Sequence, residues 1–365
     1  MKKIFSILTM ALLMLSLMPV VFATSVGSGT GISITPEQFK PLIWMCDNRL
    51  VTDNEGQPGR ITGEGDEMFE RIHNYAFEGE KISWQVLVMD KNKIEEINEV
   101  VGTIGATQGE GNDVEVECKR TIEPEVIPES CNARILEEQL TEFNSQTMAY
   151  YDCTFTVETP ASMHGEYFIT VEVKDLTGLS GTMDENEFWF LNPTIALAID
   201  GDLEFEDVRP GAQAYSDTIL VGNDAEAGSG VIMDMFITGT NFYDPSSSGA
   251  ACPNTNELNL NAFRYFATNG AYSTAGDDVF DDGGFATIRS LDVEGYVNIQ
   301  NTMESFSTKM YDEAEIIQDA VIGGYYASNT LSPGSEMALT FKLSLPEPCV
   351  GDFSEGQIYF WGEAI

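Results

Sequence analysis

The chain has 365 residues, with 59 Asp and Glu against 18 Lys and Arg, giving a formal charge of -41 at pH 7. That excess repels nucleic-acid phosphates and anionic lipid heads, which proteins bind through Lys and Arg patches, so nucleic-acid binding is excluded. With 43% hydrophobic residues the chain can bury an ordinary core and is not a disordered acidic tail, and its length favours two domains.

The first expected element is an export signal. Lys2 and Lys3 form a positive n-region, Ile4 to Leu17 is an almost unbroken apolar run, and Val21-Phe22-Ala23 supplies a peptidase site. The run reaches Pro19, short of the roughly 20 apolar residues of a spanning helix, and polar Thr24-Ser25 follow. Cleavage after Ala23 is expected, which leaves an extracellular protein of charge -43, since Lys2 and Lys3 depart, with no membrane span. The first cysteine is Cys46, so no lipid-attachment site follows the cut. Ile358 to Ile365 offers no apolar anchor either.

The mature chain reads as short strands between turns. Ile82 to Met89, Val114 to Cys118, Cys153 to Val157, Tyr167 to Val173 and Glu187 to Phe190 alternate or run apolar and β-branched, as strands with a buried face do. A boundary is expected at Leu191-Asn192-Pro193. Beyond it Thr194 to Ile199, Asp217 to Val221, Val231 to Ile237, Tyr296 to Ile299, Met337 to Leu345 and Gln357 to Trp361 continue the pattern, separated by Gly, Asp, Asn and Pro turns. Helical patterns are confined to Arg134 to Phe143, Glu95 to Val101 and Asp312 to Ile317. The predicted fold is therefore mainly β: two tandem antiparallel β-sandwich domains, residues 24–191 and 192–365, after a signal peptide at 1–23, with a few short helices.

Glu166 to Asp175 followed by Gly178, with Lys81 to Asp90 as an earlier strand, resembles the strand endings of immunoglobulin-like and cadherin-like extracellular modules. Ile195 to Ile199, Phe205, Pro210-Gly211 and Asn223 resemble the sandwich domains repeated in archaeal and bacterial surface-layer-like envelope proteins. The resemblance implies a prokaryotic cell-surface protein. Tyr151 stands two residues before Cys153, as in the tyrosine corner of immunoglobulin domains, but Cys46 to Trp84 is longer than the spacing of an antibody-type core.

Six cysteines in an exported chain read as three disulfides. The domain division selects Cys252 with Cys349. In the first domain, Cys118 and Cys131 flank a Pro-containing loop, and their pairing leaves Cys46 for Cys153.

Catalytic chemistry is not advertised. The mature chain holds two histidines, His73 and His164, and His164 before the Tyr167 strand suits a turn. No G-x-S-x-G, H-E-x-x-H or P-loop occurs, and no N-x-S/T acceptor is usable. Among so many carboxylates an acid pair of the glycosidase kind stays open.

Calcium, which takes six to eight oxygen ligands, is the one cofactor for which ligands are suggested: Asp175, Asp184, Glu185 and Glu187 at the end of the first domain, and Asp277, Asp278, Asp281 and Asp282 in a Gly-flanked loop. Neither group has EF-hand spacing, and a solvated acidic face accounts for either as well. The segment Asn241 to Tyr272, read as a long aromatic loop, offers Phe242, Tyr243, Tyr265 and Phe266 for sugar stacking or a subunit contact; sealing the sandwich end is the competing account.

The reading that emerges is a non-catalytic structural or assembly protein of a prokaryotic envelope, whose partners are other copies, envelope proteins or glycans. A secreted glycan- or protein-binding module is the alternative, and a secreted carboxylate-dependent hydrolase a third.

Overall fold

The computed structural model describes residues 37–53, 68–71, 73–108, 114–121, 126–129, 131, 140, 142–183, 187–205, 208–246, 249–253, 255–276, 290–301, 314–319, 321–322 and 325–365. The expected signal peptide, and most of the helix expected over Arg134 to Phe143, lie outside them. Phe39 to Ile365 forms one compact unit, mainly β.

Alternating side chains build the first half around one strongly coiled sheet. Its described strands are β1 (Leu42–Asp53), β2 (Met68–Arg71), β3 (Tyr75–Ala76), β4 (Lys81–Met89), β5 (Ile97–Gly105), β6 (Val114–Thr121), β7 (Met148–Thr156), β8 (Gly165–Asp175), β9 (Ser180–Thr182) and β10 (Phe188–Leu191). They lie in the order β2-β1-β4-β7-β6-β5-β8-β10-β3, with β9 beside β8. The pairs are antiparallel except β10 with β3. Ile82, Trp84, Val86 and Val88 of β4 enter the main core with Ile104, Val116, Ile169, Val171 and Val173. Leu87 and Met89, on the opposite face, join Trp44, Met148 and Tyr150 in a second, smaller core. Burying both faces in this way keeps a strand central and dry.

The coiling brings β9 against the chain entering β1. A Cβ at Gly181 would collide with the Pro41 carbonyl oxygen, and backbone cannot yield as a flexible side chain does. Gly181→Ala is expected to lower stability by about 1–3 kcal/mol, the usual cost of overpacking, read from the denaturant midpoint at unchanged slope.

The second half contributes β11 (Leu197–Asp200), β12 (Gln213–Tyr215), β13 (Ile219–Asn223), β14 (Met233–Gly239), β15 (Phe242–Tyr243), β16 (Glu257–Leu258), β17 (Phe263–Asn269), β18 (Tyr272–Ser273), β19 (Val297–Asn298), β20 (Gln300–Asn301), β21 (Val321–Ile322), β22 (Tyr325–Tyr326), β23 (Thr330–Leu331), β24 (Glu336–Ser344) and β25 (Ile358–Ala364). One sheet runs β11-β13-β24-β17-β18 with β12 and β19 attached; another joins β14 to β20, β23 and β25. Val221, Leu339, Phe341 and Tyr265 of the first share a core with Met233, Met235 and Ile237 of β14. The alternation of Met233 and Met235 thus has a physical reason, for both enter this core. Gly362 of β25 leaves the space that the Met233 methyl fills.

The two groups of strands meet through the shortest strand of the first sheet. Ala76 of β3 belongs to the first core, whereas Tyr75, one residue away and on the other face, belongs to the second. Leu191 and Phe190 of β10 divide in the same way. The Tyr75 hydroxyl donates to the Ile365 carbonyl. Beside this seam Asn192 takes a left-handed backbone (φ 50°), and its amide donates to the carbonyls of Glu158 (2.8 Å) and Met163 (2.6 Å).

Several expectations are corrected. Glu95 to Val101 is a 3-10 turn (Ile94–Glu96) leading into β5, because its β-branched residues find strand partners in β6 and β8. Ala314 to Ile317 is extended, bonded to β14 through Ile237 N–H to Ala314 O (2.8 Å) and Ile316 N–H to Met235 O (3.0 Å). The segment Asn241 to Tyr272 is no long loop: it holds the β15–β16 hairpin and β17, a central strand.

Cys252 pairs with Cys349, but the other two disulfides are Cys46–Cys131 and Cys118–Cys153. Cys118 and Cys153 are register neighbours on β6 and β7, which sequence spacing does not reveal.

Candidate functional site

Strand β24 supplies the clearest concentration of chemistry among the described residues. Met337, Leu339, Phe341 and Leu343 face the core, so Ala338, Thr340, Lys342 and Ser344 take the outer face. Lys342 lies between two registered neighbours, Tyr215 of β12 and Arg264 of β17.

A turn then folds over it. The Asp292 Oδ1 accepts the N–H groups of Glu294 (2.8 Å) and Tyr296 (2.9 Å), an Asx turn that fixes the loop. The other oxygen, Oδ2, lies 3.0 Å from Lys342 Nζ, and Glu294 Oε2 lies 2.7 Å from it. The rings of Tyr215 and Tyr296 flank the ammonium at 5.7 and 5.5 Å, and Tyr215 donates its hydroxyl to Glu294 (2.9 Å). Arg264 holds the same loop through Ser290 Oγ (3.0 Å) and Tyr296 O (3.2 Å).

Lys342 is only 6% exposed, an arrangement that requires paired charge. The hydrogen bond to Glu294 leads in raising its pKa; burial opposes the shift, and Asp292 adds to it. Burial works against ionisation of Asp292, but the Tyr296 N–H and the Lys342 ammonium outweigh it and hold the carboxyl below its usual range. Glu294 is lowered first by Lys342 and then by the Tyr215 hydroxyl. Donating that hydrogen bond to the Glu294 carboxylate in turn raises the pKa of Tyr215.

The linkage has a definite sign. Lowered carboxylates stabilise the fold above their unfolded values, about 3.9 for Asp and 4.3 for Glu, and lose that contribution as pH falls further. The raised lysine stabilises below about 10.4 and loses its contribution above. Wild-type stability is therefore expected to decline on both sides of a plateau between about pH 5 and 10. Lys342→Ala should flatten part of both limbs and cost about 1–2 kcal/mol at neutral pH, well below a fully buried pair because Glu294 is half in water. Denaturant titrations of both proteins across pH measure this.

With these charges mutually satisfied, the cluster acts as a clamp. It presents to solvent the ring of Tyr215, 49% exposed, and the fully exposed Val293 at the crest of the turn. Phe266 lies under this face, its ring 5.7 Å from Tyr296. Sequence reading singled out Phe266 but missed Lys342, Tyr215 and Asp292. The available signals were Lys342, the one charged residue within Met337 to Leu345, and Asp292 four residues before Tyr296.

The other predicted residues do not converge there. Tyr265 is fully buried and donates to Ile316 O (3.0 Å), so it has no surface to offer a ligand. Phe242 packs on Phe263 (4.7 Å), and Tyr243 is exposed on the β15–β16 hairpin. The Asp175 carboxylate closes its own turn, accepting from Thr177 N–H (2.8 Å), Thr177 Oγ1 (2.8 Å) and Leu179 N–H (2.8 Å). Burial opposes its ionisation, but these donors outweigh it and lower its pKa.

Glu187 is buried just before β10, and its carbonyl accepts from Ile169 N–H (2.9 Å). Asp184, Glu185, Asp277, Asp278, Asp281 and Asp282 lie outside the described residues. Among the described residues no three acidic, His or Cys side chains converge as a cation site. His164 bonds Glu226 across the seam (3.0 Å), and His73 stacks on Tyr75 (5.8 Å between ring centres). No helix among the described residues is long and apolar enough to cross a membrane.

No family model matches the chain, and no curated protein matches it. Solved structures similar to it include the C-terminal domain of the AgI/II polypeptide BspA of Streptococcus agalactiae, at 12% identity and a TM-score of 0.27 over 89% of this chain and 96% of that one. A chaperone–tip adhesin complex of CFA/I fimbriae aligns at 10% identity and a TM-score of 0.23, over 91% and 94%. The sialic acid binding region of a Streptococcus sanguinis SK1 adhesin aligns at 11% and 0.20, over 89% and 78%. At these scores no role transfers from them to this chain.

Proposed function

We propose that the protein is a non-catalytic structural component of the exterior of a prokaryotic cell that associates with other copies of itself. One observation carries the reading. The prominent polar groups of the described structure hold the scaffold together: Lys342 clamps a loop, Asp175 closes a turn and Asn192 braces the seam. Asn223 joins them, its amide donating to the carbonyls of Val231 (2.9 Å) and Leu331 (2.8 Å). Three disulfides that cross-link strands and loops suit an oxidising exterior. Such a molecule resists deformation, as a surface building block must.

Light scattering with negative-stain microscopy on the oxidised protein, with calcium and again with chelator, tests this. Ordered sheets, filaments or discrete oligomers support it, and a calcium requirement would direct attention to the acidic sequence at 277–282. A monodisperse monomer under both conditions overturns it. The weight then moves to a glycan- or protein-binding module, which the exposed Tyr215 and Val293 favour.

A further inference from the structure

Strand β11 forms one edge of the larger C-terminal sheet, with β13 as its partner on one side. The ladder continues past its start, since Asp224 N–H donates to Ala196 O (2.9 Å) and Glu226 N–H to Thr194 O (2.9 Å). In an antiparallel ladder alternate residues direct both backbone groups at the partner. Thr194, Ala196, Ala198 and Asp200 therefore face β13, and the N–H and C=O groups of Ile195, Leu197 and Ile199 point away from the sheet. Among the described residues nothing receives them.

The same three residues carry their side chains on the core face, at the mouth between the two sheets. Leu197 reaches the core by Gly362, but Ile195 and Ile199 remain 41% and 53% exposed. Natural edges are blunted by lysine, proline or a bulge, because an unpaired apolar edge is a template for another strand. Thr194 to Asp200 contains none of these.

We infer that this edge pairs with the β11 edge of a second copy, antiparallel about a two-fold axis through Leu197. That register sets Ile195 opposite Ile199, Ala196 opposite Ala198, and Thr194 rather than Asp200 opposite Asp200. Apolar residues meet apolar residues, and no like charges face each other. The occupant follows from charge. Two copies of a chain at -41 repel over most of their surfaces, whereas Phe188 to Ile199 is free of charge. Backbone pairing at an open edge supplies affinity that needs no charged contact. This inference rests on the self-association reading and gives it a surface.

The test is sedimentation velocity over a concentration series in about 0.15 M salt, where repulsion is screened beyond about 8 Å. Wild type is compared with Ile199→Lys, a change at an exposed position that keeps the fold and sets an ammonium opposite Ile195. The expected result is a reversible wild-type dimer whose dissociation constant rises roughly tenfold or more in the variant, as a charge placed on an edge disfavours pairing. Equal assembly of both proteins overturns the β11 pairing while leaving self-association standing. A wild-type monomer at every concentration overturns both. Loss of assembly on deleting Thr24 to Pro36, with β11 intact, overturns the pairing of two β11 edges in favour of an amino-terminal strand as occupant.

Discussion

Tyr75→Ala is expected to cost about 3–5 kcal/mol, the range for removing a large aromatic side chain from a packed core. Tyr75 is fully buried, yet the core it fills is built mostly from residues beyond 196. Its ring stands edge-on to Phe77, 6.0 Å away, and its hydroxyl reaches the Ile365 carbonyl. Removing it hollows out the contact between the halves, so the effect on cooperativity should exceed that on either half alone. Calorimetry should show one transition for the wild type and two for the variant. Tyr75→Phe keeps the ring and loses the hydrogen bond, for about 1 kcal/mol. A single unshifted transition in Tyr75→Ala would show that the halves are held together elsewhere.

Strands with one dry face were legible in the sequence because alternation survives there. Tyr167 to Val173 lies within β8, and Met337 to Leu345 overlaps β24 up to Ser344. Strand β1 left no such trace, since Ile43 and Met45 enter one core while Trp44 and Cys46 enter another, so the first half of the strand reads as uniformly apolar. Strand β17 was hidden by its aromatics. Phe263 and Tyr265 face the core and Phe266 the other side, and rings on both faces look like a loop rich in large side chains.

The candidate face was still less legible. Lys342, Asp292 and Tyr215 are far apart in the chain, and only the β12–β24 register and the turn at Asp292 bring them together. Cys252 with Cys349 was legible, but the two disulfides of the first half were not, for the same reason: a Pro-containing loop between Cys118 and Cys131 cannot reveal that β6 and β7 are neighbours.

The corrected pairing carries the second large effect. Cys46–Cys131 closes a loop with a separation of 85 residues and fastens the chain around Ile127, Leu140 and Phe143 over the outer face of β1, β4 and β7. Phe143 stacks on Tyr150 (5.3 Å between ring centres), whose hydroxyl donates to Val126 O (3.1 Å). Replacing both cysteines by serine should cost about 2–5 kcal/mol, since an open chain of that length regains much of the entropy the bridge removes. The tyrosine reports where the loss falls. Burial pushes Tyr150 up to about 12, so its contribution is present below about pH 10 and is lost as pH rises through 12. When the cover loosens, Tyr150 should ionise nearer 10, visible as an earlier phenolate absorbance, whereas the Cys252→Ser, Cys349→Ser protein should keep the wild-type titration. Peptide mapping of the oxidised wild type decides the premise: recovery of Cys46 with Cys153 would remove the reason for any shift at Tyr150.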